Sequence, residues 1–95
     1  MDTQLVIKRE INDSARKVYM VTGYNIEDIK RKTRLFPIVQ ARMLLVHDLR
    51  KKQLTFKQIG QAINRHHASV MYLLAAYQDE YDTNPLFRKM AEGME

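Results

Sequence analysis

The sequence predicts an all-α domain, a compact bundle of about six helices. Three observations predict it. Apolar residues recur at three- and four-residue spacings along most of the 95-residue chain. Residues suited to starting or stopping helices (Asp2 or Thr3, Gly23, Asn25, Pro37, Thr55, Asn84 and Pro85) divide it into helix-sized lengths. No stretch alternates apolar and polar residues as a half-buried strand would, and no repeat or low-complexity tract is present.

Asp2 or Thr3 can cap a first helix that continues to about Thr22. Its apolar stripe is Ile7, Ile11, Ser14 or Ala15, Val18 and Val21, and Gly23 is a natural stop. Asn25 caps a short helix from Ile26 to about Arg31, with Glu27 and Asp28 at the positive end of its dipole. The run Lys30 to Arg34, KRKTR, is the densest positive stretch and joins this helix to the next. Pro37 fits the first turn of a third helix reaching about Lys51. Ile38, Ala41, Leu44, Leu45 and Leu49 should face the core, with Arg42, Arg50 and Lys51 pointing elsewhere and His47 half-exposed.

Thr55 and Gln58 match a reciprocal capping box for a fourth helix, Phe56 to Ile63, which should bury Phe56, Ile59 and Ile63. Gly60 in its middle costs about 1 kcal/mol against alanine. Close approach of the following helix would justify it. Asn64 tolerates the left-handed conformation of a sharp turn. The fifth helix, about His66 to Asp82, should bury Val70, Leu73, Leu74, Tyr77 and Tyr81. Asn84 then caps a last helix opened by Pro85, with Leu86, Phe87 and Met90 against the core.

With 45% apolar residues, residues 1–95 can build one core, hence one domain. Sixteen Lys and Arg against eleven Asp and Glu leave a net charge of +5, a balance that suits a polyanionic partner. There is no cysteine, which excludes disulfides and thiolate metal sites. The three glycines are too dispersed for a phosphate-binding loop, which argues against an ATPase. No apolar run reaches membrane-spanning length and no signal-peptide core is present. A cytoplasmic protein is the expectation.

Catalysis finds little support. His66 and His67 are adjacent, so their side chains leave a helix about 100° apart and do not chelate as an i, i+4 pair does. Ser69 is near both, but no carboxylate lies close in sequence to orient either ring. No enzymatic activity, cofactor, metal or small-molecule substrate is expected.

Leu54 to Tyr81 reads instead as a short helix, a tight turn and a longer helix with basic and small polar residues at its start. That is the pattern of a helix-turn-helix, which places the tip of its second helix in the DNA major groove. Arg65 could contact phosphate or guanine, and His66 and His67 can donate or accept. Ala68 offers a methyl to thymine, and Ser69 can bond base or phosphate.

From about Asn25 to Tyr77 the chain resembles the C-terminal DNA-binding domain of the replication initiator DnaA. Four blocks carry the resemblance: KRKTR, IVQAR (Ile38 to Arg42), LTFKQIG (Leu54 to Gly60) and RHHASV (Arg65 to Val70). The last stands where the family has Arg-Asp-His-Thr-Thr-Val. The resemblance implies a Trp-repressor-like fold, with Arg34 reaching the minor groove and Arg42 holding a phosphate. It sets Thr55 to Lys57 against the backbone and gives Arg65, His67 and Ser69 DNA-contacting positions. Arg31 and Lys57 are expected as further phosphate contacts.

The chain departs from that pattern at His66, where the family has Asp, and at Ala68 and Ser69, where it has Thr. Altered or relaxed specificity should follow, each lost base contact being worth about 1–3 kcal/mol. The expected partner is double-stranded DNA, in replication initiation or transcriptional regulation, with other replication or regulatory proteins as further candidates and no membrane. The alternative is a protein-interaction domain that keeps the fold without the sequence recognition.

Overall fold

The computed structural model describes residues 2–95, and among them it shows six helices and no strand. Asp2, not Thr3, caps α1 (Thr3–Thr22), its carboxylate accepting the Gln4 N–H at 2.9 Å. Gly23 ends α1 with φ 81°, and its N–H closes on the Tyr19 carbonyl. In α2 (Ile26–Lys30), Asn25 accepts the Asp28 N–H while the Asp28 carboxylate accepts that of Asn25. The Thr55–Gln58 pair does the same for α4 (Phe56–Ile63). Asn84 closes α5 (His67–Thr83) and caps α6 (Pro85–Gly93), accepting from the N–H groups of Leu86 and Phe87.

The third helix, α3 (Phe36–Lys51), is the axis of the bundle and packs against α1, α2, α4 and α5. A helix surrounded in this way is buried on more than one face. Ile38, every residue from Ala41 to Val46, and Leu49 are accordingly buried, as are Val18, Ile29, Ile59, Ile63, Val70 and Phe87 from the other helices. Each such large aliphatic or aromatic side chain contributes about 1.5–3 kcal/mol of burial free energy.

The expected core is present with corrections at Leu86, Phe56 and Arg42, and Leu74 and Tyr81 of α5 are, like Phe56, only partly buried against it. Leu86 is 76% exposed, because the inward stripe of α6 runs Phe87, Met90, Ala91 and Met94. Phe56 is only half-buried and sits under the Arg50 guanidinium, 4.5 Å from its ring centroid. Arg42 does not point away from the core. It is 5% exposed, and its place is described below.

A polar cluster joins α1 to α3. The buried Ser14 hydroxyl donates to Asp48 at 2.5 Å. Lys52 stands 3.8 Å from Asp48 and 3.4 Å from Glu10, so the buried carboxylate has both a donor and a countercharge.

At the end of α3, Gln53 is left-handed with φ 68°. The N–H of Leu54 reaches back to the Leu49 carbonyl, and that of Gln53 to Arg50, as in a Schellman ending. A side chain there costs about 1–2 kcal/mol. Gln53→Gly should therefore raise stability by roughly 1 kcal/mol despite glycine's greater freedom when unfolded, read as a higher urea midpoint at constant m-value.

His47 is half-buried and lies flat on Tyr77, with ring centroids 3.7 Å apart. Burial, and then the charge of Lys51, push its pKa below the usual 6.5, against a weaker opposing pull from Asp48 and Glu95. The folded protein thus binds the proton less well than the unfolded chain. The stability this group contributes is complete above about pH 6.5 and is lost as pH falls through the folded-state value. Urea unfolding between pH 8 and pH 5 should show this decline. His47→Phe, which keeps a ring on Tyr77 and removes the titration, should flatten it.

Candidate functional site

The fourth and fifth helices meet at a turn whose geometry was largely readable in advance. Asn64 is left-handed (φ 57°, ψ 49°) and ends α4. The Arg65 N–H then donates to the Gly60 carbonyl at 2.8 Å. A Cβ on Gly60 would lie 2.5 Å from the Arg65 carbonyl oxygen. The glycine is required by this close crossing of backbone on backbone.

The tip of α5 is open. His66, His67 and Ala68 are exposed and Ser69 is half-buried. His66 precedes the helix as its cap, one residue earlier than its expected place in the first turn. Its Nδ1 accepts the Ala68 N–H at 3.1 Å. The two imidazoles lie 4.1 Å apart, centroid to centroid, and tilted by 35°.

The loop between α2 and α3 carries Arg31, Lys32 and Arg34, all exposed. Arg31 makes a loose, solvent-facing pair with Asp28 at 3.9 Å, of a kind worth little. Among the described residues, Lys32 and Arg34 make no ion pair. This loop and the start of α5 face each other across an open groove lined by Lys32, Thr33, Arg34, Asn64, Arg65, Ser69 and Tyr72, with Val39, Arg42 and Leu73 contributing from the helices beneath. Arg34, Arg65 and Ser69 are thus brought together. Tyr72, 68% exposed, Asn64 and Lys32 line the groove in addition to the residues expected there. The signal for Tyr72 was present: it lies one turn beyond Ser69 on the same face. Thr55 and Lys57 are exposed at the start of α4. The Thr55 hydroxyl is occupied as a cap, accepting the Gln58 N–H.

Two arginines expected at the surface turn inward. Arg42 donates through Nε to the Ile29 carbonyl at 2.8 Å, through Nη1 to Thr33 at 2.8 Å, and through Nη2 to Arg31. The expectation that it holds a phosphate is corrected on this ground: the guanidinium is buried beneath the loop and fastens it. The reason lies in the helix period, since Ile38, Arg42, Leu45 and Leu49 share the spacing of one face. Arg65 is half-buried. Its Nη1 reaches the Lys30 carbonyl at 3.2 Å and the turn carbonyls of Asn64 and Ile63, and its Nη2 donates to Arg31 at 2.7 Å.

These contacts have an electrostatic consequence. Among the described residues, no carboxylate lies within ion-pair distance of Arg42 or Arg65. Carbonyl dipoles satisfy their N–H groups without cancelling their charge, so the groove stays positive. Burial, and then the charge of Arg65, lower the Arg42 pKa from its ordinary value, yet a guanidinium stays protonated.

Among the described residues no helix is long and apolar enough to cross a membrane, and no group of three His, Asp or Glu gathers as metal ligands. In comparisons with known proteins, no family model matches the chain, and neither a curated protein nor a solved structure matches it significantly.

Proposed function

We propose that the protein is a double-stranded-DNA-binding module, working without a cofactor and serving replication initiation or transcriptional regulation as its resemblance to DnaA implies. The single observation that carries this reading is the shared groove: Lys32 and Arg34, without ion-pair partners among the described residues, lie across it from Asn64, Arg65, Ser69 and Tyr72, and the tip of α5 beside it is exposed. In the proposed complex Arg31, Lys32, Arg34 and Lys57 hold phosphates, and His67, Ala68 and Ser69 meet base edges. Arg42 acts from within, on the loop.

About four neutralised phosphates give a log–log salt slope of roughly −3 to −4, shallower than five or six contacts would. Titrating a labelled duplex at several salt concentrations measures it, and a flat response would refute the reading. Arg34→Ala should weaken binding to every sequence and reduce the slope by about 1, whereas His67→Ala should blur preference at one position. A selection from random duplexes then identifies the site.

A protein-interaction role has one observation in its favour. Phe36 and Leu86 are exposed beside Val21 and Met90 in a mostly apolar cleft that shares no lining residue with the cationic groove. A stoichiometric protein partner, with no duplex retained at low salt, would decide for it.

A further inference from the structure

The two inward arginines come from different parts of the fold and converge on the same short stretch of main chain. Arg42 rises from the middle of α3 and Arg65 from the turn between α4 and α5. Together they take the carbonyls of Ile29, Lys30, Arg31 and Thr33, and both donate to that of Arg31. Ile29 and Lys30 end α2, where helical carbonyls have no partner within the helix. The Arg31 carbonyl also accepts the Thr33 N–H at 3.0 Å, so the fold of the loop itself depends on where that oxygen is held.

We infer that Arg65 is a positioning residue: with Arg42 it forms a strut that fixes the distance between the cationic loop and the tip of α5. Arg42 holds the loop down onto α3. Arg65 ties the loop sideways to the turn from which α5 departs, and its fork spans two successive carbonyls, which the single ammonium of a lysine does not reproduce. The two halves of the groove are therefore one rigid unit before any ligand arrives. The role in binding rests on the DNA reading above, but the strut itself is a property of the free protein and is tested there first.

Amide hydrogen exchange on the full chain without DNA is the first measurement. Arg65→Gln and Arg65→Lys should each speed exchange at Arg31 and Thr33 by about tenfold, the scale of one lost charge-assisted hydrogen bond. The amides of Leu44 and Leu45 should keep their wild-type rates. Unchanged loop exchange would overturn the strut, and so would acceleration throughout the chain, which would make Arg65 a residue of general stability. The second measurement is a cycle of Arg65→Gln with Arg34→Ala on a labelled duplex. If Arg65 acts by placing the loop, the double variant should bind no more than about twofold more weakly than the weaker single one. Losses that multiply would show that Arg65 touches DNA on its own account and would overturn the inference. Should the wild-type protein retain no duplex at low salt, the DNA reading falls, and the exchange rates alone decide the strut.

Discussion

Gly60→Ala is expected to destabilise the protein by about 1–2 kcal/mol, the reverse of what the same exchange does in an ordinary helix. In an open helix interior alanine is favoured over glycine by about 1 kcal/mol. Here the added methyl carbon would sit 2.5 Å from the Arg65 carbonyl oxygen. That oxygen belongs to backbone and is not the end of a flexible side chain, so the turn must move as a whole. Overpacking of this kind costs typically 1–3 kcal/mol, occasionally more, which outweighs the gain in propensity. The shift also strains the Arg65 N–H bond to the Gly60 carbonyl and the left-handed Asn64 between them. Urea unfolding reads the loss as a lower midpoint at unchanged m-value. A more stable variant would mean that the two helices cross less tightly than described.

Gly60 was recognisable in the sequence because its signal is local: a glycine without a capping role, four residues before an asparagine suited to a left-handed turn. The same holds for the Thr55–Gln58 and Asn84–Pro85 starts, where partners lie within three residues. Leu86 failed for want of phase. It is the second residue of α6, and no residue before it fixes which side of the helix faces inward. The site divides the same way. Exposure of the α5 tip and of Arg34 followed from polar character and position. The inward turn of Arg65 did not, because its carbonyl partners Lys30 and Arg31 are 35 and 34 residues away. Nor did the buried hydrogen bond between Ser14 and Asp48, which spans 34 residues. Arg42 is a different failure. Its spacing from Ile38, Leu45 and Leu49 puts it on the core face, whereas its charge points to the surface, and the period wins because backbone carbonyls satisfy the guanidinium.

Arg42→Met is expected to cost about 3 kcal/mol, the upper end of the scale for a hydrogen bond made by a charged group. Methionine has comparable length and fills the channel between α3 and the loop, so the loss is chiefly of hydrogen bonds. The three acceptors fare differently. The Arg31 carbonyl keeps its bond from Arg65, and that of Thr33 belongs to a half-buried residue within reach of water. The Ile29 carbonyl belongs to a fully buried residue, and an unsatisfied group there carries a desolvation penalty of about 1–3 kcal/mol. Release of a buried charge offsets part of the loss, which keeps the figure below a simple sum of three bonds. Arg34→Ala makes the contrast: it should leave the unfolding free energy within about 0.5 kcal/mol, as exposed substitutions do, while weakening duplex binding. Arg42→Met should lower both, and its binding loss should persist at temperatures where the variant is fully folded, because the loop would then have lost its fastening to α3. Binding that recovers completely once the variant is folded would reduce Arg42 to a residue of stability alone.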